Sequence, residues 1–415
     1  MNTLRILASF ALLGVLHAPV HAQFPERPQI TPSQTMSPEM SELPPNPLLF
    51  GEKVTRHDNL ALIWEREFAL SGPGGRKGRV AVFTRNSQGI WVRSASIDPR
   101  SSDAGGFGQL LAIFNNFALI KTGGPIGLVH LYQRVSGKWK LMQILTPPSS
   151  YSFTALTIWN NWAFIGATFA VGGLEQGGAV FVYQFTSAGT LRGIQTLRSY
   201  SGNPVDRFAR HVAVSNGRVL VSAYGDSDRR GAAYVFELSG SLFVKRQKLI
   251  AINGAAGDEF ATDVGISGDW IAIGAPKVSG PDDDNCFERS NSGAIYVFKR
   301  INGTWLQQDA LTSGDARDSR HPCVNELGQS VVISGNWIAA AANLPFAGGN
   351  SVVPIIYKRD TANFTPRADA QLADGRVDLH LSNGLLLVGS PVELGCPIGA
   401  CNGHAFVYEL EKAGL

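Results

Sequence analysis

The densest clusters of side chains able to do chemistry in this 415-residue chain are two charged stretches. One is Pro281-Asp282-Asp283-Asp284-Asn285-Cys286-Phe287-Glu288-Arg289, and the other is Asp226-Ser227-Asp228-Arg229-Arg230. Three adjacent carboxylates can bind a cation or a basic partner, and Phe287 and Arg289 add an apolar and an anion-binding contact. Asp226, Asp228, Arg229 and Arg230 offer both signs of charge within one turn. Both stretches also suit solvated loops, where charge keeps a turn in water. Nucleophilic and metal chemistry have weaker support. There is no Gly-x-Ser-x-Gly elbow and no His-Glu-x-x-His helix. The histidines are isolated, and His211 and His380 fit hydrogen-bonded core or channel positions as well as reactive ones. No catalytic or metal-ligating residue is assigned.

The elements that must position these stretches emerge from an internal repeat. Phe260 to Pro276 is the clearest copy: an apolar strand, the turn Ser267-Gly268-Asp269, and a second strand ending in Gly274-Ala275-Pro276. Related copies start at Phe50-Gly51, Phe107-Gly108, Phe153, Phe208 and Leu327-Gly328, and a last one runs from Val377 through Ser382-Asn383-Gly384 to Ser390-Pro391. Each continues through a loop of variable length into an alternating aromatic strand, such as Gly293-Ala294-Ile295-Tyr296-Val297-Phe298. A fourth strand follows, often marked Gly-x-Trp and then Gln-x-Leu, as in Gly137-Lys138-Trp139 with Gln143 to Leu145. Val, Ile and aromatic runs bounded by Gly, Asn and Asp read as strands joined by tight hairpins. One four-stranded sheet cannot bury both faces alone, and radial stacking of several does. The expected fold is therefore all-β, a seven-bladed β-propeller of four-stranded antiparallel blades. Trp159, Trp162, Trp270 and Trp337 recur at strand positions and are read as blade packing.

The Phe-Gly start and Gly-Ala-Pro end make the repeat resemble the FG-GAP repeats of integrin α-subunit heads, from about residue 50 to 410. The resemblance implies a propeller and lends some expectation of adhesion. It does not extend to calcium. Integrin-type blades often carry an Asp-x-Asp-x-Asp-Gly loop between the first two strands, whereas Ser215-Asn216-Gly217 and Ser334-Gly335-Asn336 are too short to wrap such a cation, and no cofactor is expected. In the propeller topology the loops between strands two and three share a face with the links between blades. That register makes Cys286 and Cys323 neighbours and places Cys396 and Cys401 in one loop. In an exported chain these pairs are expected as disulfides, with free or exchanged thiols as the alternative.

The chain ends complete the division. Arg5, the apolar run Ile6 to Leu16 and Val20-His21-Ala22 read as a signal peptide over 1–22, too short for a span of about 20 residues. Residues 23–49 are Pro-rich and could supply the last blade's missing strand, the propeller occupies 50–410, and 411–415 are a tail. With a net charge of +3 and scattered Lys and Arg, no nucleic-acid footprint appears. No later stretch reads as a membrane span. The expectation is a secreted, periplasmic or cell-surface protein that binds an extracellular protein or glycan without catalysis, through its two–three-loop face. The alternative is an extracellular hydrolase or lyase acting on a polymer at the axial face.

Overall fold

The structure is a computed structural model that describes residues 28–38, 48–67, 78–100, 103, 106–123, 127–148, 151–169, 177–199, 203–279, 291–312, 325–346, 349–361, 363–370, 373–374, 377–390, 403–413 and 415. Among the described residues, seven sheets with antiparallel four-stranded cores follow one another along the chain. Blade 1 is Leu48–His57, Leu60–Glu67, Gly78–Arg85 and Trp91–Ile97. Blades 2 and 3 span 111–145 and 151–197 in the same meander. Blade 4 is Val212–Ser215, Arg218–Ala223, Ala232–Ser239 and Leu242–Leu249, and blade 5 is Val264–Ser267, Trp270–Ala275, Ala294–Ile301 and Thr304–Thr312. Blade 6 opens at Val331–Ser334 and carries two extra short strands, Gln29–Ile30 and Ala373–Asp374. Blade 7 takes Asp378–Ser382, Leu385–Ser390 and His404–Glu409 from the C-terminal part of the chain, and its outermost strand, Gln34–Met36, from the N-terminal part. The fold is a seven-bladed β-propeller.

The first strands of successive blades contact one another around the whole circle, blade 7 against blade 1 included, so they form the axial wall. Seven buried clusters lie between neighbouring sheets. The one joining blades 7 and 1 contains Met36, Phe50, Ile63, Leu387 and Val407.

The repeat motif joins blades as well as building them. Phe260 is fully buried and packs edge-on against Tyr296 and Phe298 of its own third strand, with ring centroids 5.4 and 6.1 Å apart. Phe208 repeats this with Tyr234 and Phe236. Burial of each such ring contributes about 2–3 kcal/mol. The motif glycines sit across the seam. A Cβ on Gly274 of blade 5 would strike the Gly328 carbonyl of blade 6, and one on Gly389 of blade 7 would strike the Gly51 carbonyl of blade 1. Third-strand glycines do likewise: Gly231 lies on Phe260 as a parallel bridge, and Gly293 on Leu327. The Gly-Ala-Pro glycine of one blade thus seats the Phe-Gly pair of the next.

A second seam runs along the outer strands. The amides of Gln143, Gln195 and Gln247 each bond both backbone groups of a residue in the next blade: Leu191, Phe243 and Trp305 respectively.

Candidate functional site

The two–three loop of blade 4 is tied to both neighbouring inter-blade links. Gly225 N–H donates to the Asp206 carbonyl, Gly257 N–H to Asp228, Glu259 N–H to Arg229 and Phe260 N–H to Arg230. These bonds place the loop and the links on one face. Between blades 3, 4 and 5 that face holds an open cleft of about 1030 Å³. Arg207 and Arg210 come from the link into blade 4, and Tyr224, Asp228 and Arg229 from its two–three loop. Glu259 and Thr262 come from the link into blade 5, and Thr168 from blade 3.

The backbone shaping this cleft is unusual. Arg207 (φ 54°), Ser227 (φ 53°), Asp228 (φ 58°), Arg229 (φ 63°) and Glu259 (φ 56°) are all left-handed. Non-glycine residues adopt this region rarely, and clusters of them mark positions held by surrounding structure. Part of the reason is the motif. Arg207 and Glu259 directly precede the buried Phe208 and Phe260, so the same turn that drops the ring inward recurs at both links.

Electrostatics divides the charges. Arg229 pairs with Glu259. Arg207 and Arg210 are exposed, and no carboxylate among the described residues lies within ion-pair distance of either. Arg210 sits 5.9 Å from the Tyr224 ring centroid. Asp226 departs from the expected solvated turn. It is 4% exposed, accepts from Tyr234 Oη and Lys248 Nζ at 2.8 Å and from Ser227 Oγ at 2.7 Å, and so anchors the loop from beneath. Burial opposes its ionisation, but these donors outweigh that and hold its carboxyl below the usual range. Asp228 and Arg229 reach the cleft, and Arg230 is exposed beside it. Asp282, Asp283, Asp284, Phe287 and Arg289 lie outside the described residues, as do Cys286, Cys323, Cys396 and Cys401.

Two polar pairs line the axis on the same side. His211, just before blade 4's first strand, bonds Asp263 through Nδ1 at 2.9 Å. Asp263 also accepts from the amides of Val264 and Val331. Burial raises the Asp263 carboxyl, yet His211 and these amides together bring it below the ordinary value. Asp378 repeats the arrangement, accepting from Lys53 Nζ at 2.7 Å and from the Val54 amide. Deeper in, His380 faces Thr55, and burial with nearby Arg56 and His57 pushes its imidazole down to about 3. The charges at the axis are therefore mostly spent on joining blades. Among the described residues, no group of three or more His, Cys, Asp or Glu is arranged to hold a metal ion. No helix among them is long and apolar enough to cross a membrane.

Arg207, Arg210, Tyr224 and Glu259 are cleft residues that the sequence reading did not single out. The signal was present: residues flanking the Phe of each repeat belong to the inter-blade link, hence to this face.

Comparison with known proteins agrees with the repeat. The FG-GAP repeat family matches residues 194–236 and 243–298, which span most of blades 4 and 5. No curated protein matches the chain. Among solved structures, a "putative 6-phosphogluconolactonase" from Bacteroides uniformis is similar with a TM-score of 0.51 at 11% identity, covering 80% of this chain and 90% of that one. Its namesake from Bacteroides fragilis gives a TM-score of 0.47 at 10% identity over 75% and 84% of the two chains. The WD40 domain of SCAP from fission yeast gives 0.44 at 10% identity over 83% and 79%. At such identity these likenesses concern the fold alone.

Proposed function

We propose that this FG-GAP repeat propeller is a non-catalytic binding or adhesion protein that contacts an extracellular protein or glycan through the face built by its two–three loops and inter-blade links. The supporting observation is the cleft between blades 3 and 5. It has the size of a ligand site, its walls are fixed by loop-to-link hydrogen bonds, and it presents arginines that no described carboxylate satisfies. The Asp282-Asp283-Asp284 loop joins strands two and three of blade 5 and is proposed as part of the same contact surface. Thr168→Trp, which fills the cleft from blade 3, tests this. The variant should melt like the wild type yet lose capture of ligands presented on glycan and envelope-protein arrays. Capture undiminished by the indole would remove the cleft from the binding face. Alanine at Asp282, Asp283 and Asp284 together should weaken the same capture.

The second reading is a polymer hydrolase or lyase working at the axis. It is favoured by one pair, His211 and Asp263, because a buried carboxylate that fixes an imidazole Nδ1 leaves Nε2 able to move a proton. Turnover of any polysaccharide or phosphodiester by the wild type, and its loss in His211→Gln, would support that reading over the first.

A further inference from the structure

We infer that the cleft between blades 3 and 5 selects an acidic oligosaccharide, with Arg207 and Arg210 as a clamp for a sugar carboxylate. The inference rests on the binding function proposed above and specifies its ligand class. Three features of the cleft carry it. First, its guanidinium groups are unevenly committed. Arg229 is neutralised by Glu259, whereas Arg207 and Arg210, three residues apart on one link, have no partner carboxylate among the described residues. A guanidinium presents a planar fork of donors that matches a carboxylate in two parallel hydrogen bonds.

Second, the cleft is not uniformly basic. Asp228 lines it without an ion-pair partner among the described residues, and Thr168 and Thr262 add hydroxyls. A highly charged phosphate chain would meet repulsion from Asp228 and has no donors to offer it. A sugar acid brings one anionic group for the arginines and several hydroxyls that can donate to Asp228. Third, Tyr224 lies within cation–π range of Arg210 and gives the cleft an aromatic surface on which pyranose C–H groups can rest. The left-handed backbone at Arg207 and Asp228 sets where both side chains leave the chain, and backbone hydrogen bonds at Asp206 and Asp228 hold the loop and link together, which lowers the backbone share of the ordering cost of binding.

The probes are a galacturonic-acid tetramer and its methyl ester, which share the same sugar rings and hydroxyls but differ at the carboxyl groups, charged in one and capped by a methyl in the other. Calorimetry should show the acid binding at least about tenfold more tightly than the ester. Hydrogen exchange should show protection by the acid at residues 203–212 and 224–231. The double variant Arg207→Asn with Arg210→Gln should bind acid and ester alike, because asparagine tolerates the left-handed backbone and both changes lie at exposed positions. Equal affinity of wild type for acid and ester, with those segments still protected, would overturn the carboxylate clamp and leave the binding cleft standing. Failure of wild type to bind the acid at millimolar concentration would also overturn the clamp. Binding of the acid without protection of those segments would count against the cleft itself, and so against the proposed function.

Discussion

The side-chain amide of Gln34 clasps both backbone groups of Trp91: its Nε2 donates to the Trp91 carbonyl at 2.5 Å, and its Oε1 accepts from the Trp91 amide at 2.7 Å. This is the same bond pair that Gln143, Gln195 and Gln247 make between later blades. Here it fastens the N-terminal strand of blade 7 to blade 1.

Replacing Gln34 with Ala should remove two net hydrogen bonds and cost about 1–3 kcal/mol. Deleting residues 23–46 should lower the melting temperature further, since Met36 leaves the seam cluster as well. Differential scanning calorimetry gives both values, and an unchanged melting curve for the deletion would show that the strand contributes nothing to closure.

Gly274→Ala should destabilise the fold by about 1–3 kcal/mol, because the new methyl would press on the Gly328 carbonyl of the next blade. Gly193→Ala is the matched control. Its methyl would meet only the Tyr183 ring at 3.7 Å, an ordinary contact. Urea denaturation should separate the two variants, and equal midpoints would contradict the seam assigned to the motif.

Acid should weaken the axis through His380. Its folded value of about 3 lies below the ordinary 6.5, so the unfolded chain binds the extra proton first as pH falls. Stability from this group is complete above about pH 6.5 and declines through the window down to about 3, by an amount on the order of a few kcal/mol. His380→Gln should flatten that slope in urea midpoints measured at pH 7, 5.5 and 4.5. A slope equal to wild type would mean that other groups carry the acid sensitivity.

Asp226→Asn should cost about 2 kcal/mol, since Lys248 and Tyr234 would lose a charged acceptor in a nearly dry site. Asp228→Asn, two residues on and in the open cleft, should leave stability within about 0.5 kcal/mol. Thermal melts of the two variants would distinguish the anchor from the cleft residue. Similar losses for both would refute the division drawn between them.

Much of the scaffold was readable from residue pattern. Phe260 and Gly274 mark the seams because a buried ring and a missing Cβ are demands only certain residues meet. The closing strand was harder to read. Gln34-Thr35-Met36 repeats the spacing of Gln143-Ile144-Leu145, but it is three residues long and set among Pro28, Pro32 and Pro38. Asp226 misled because a run of charges reads as solvated, while its burial depends on Lys248 arriving from the blade's outer strand. The repeat places Arg207 and Arg210 in the link on this face, but that they line one cleft with Arg229 depends on left-handed turns at Arg207 and Arg229 that no composition rule encodes.

The shared seventh blade also sets an order of events during synthesis. Gln34 leaves the ribosome early, but its strand partner Val407 lies more than 370 residues later in the chain. Until that partner emerges, the earlier blades can stack only as an arc with two uncovered ends, and uncovered sheet faces and edges invite misassociation. Closure of the ring therefore waits for the strand His404–Glu409, and delaying that strand would hold the chain as an open, association-prone arc.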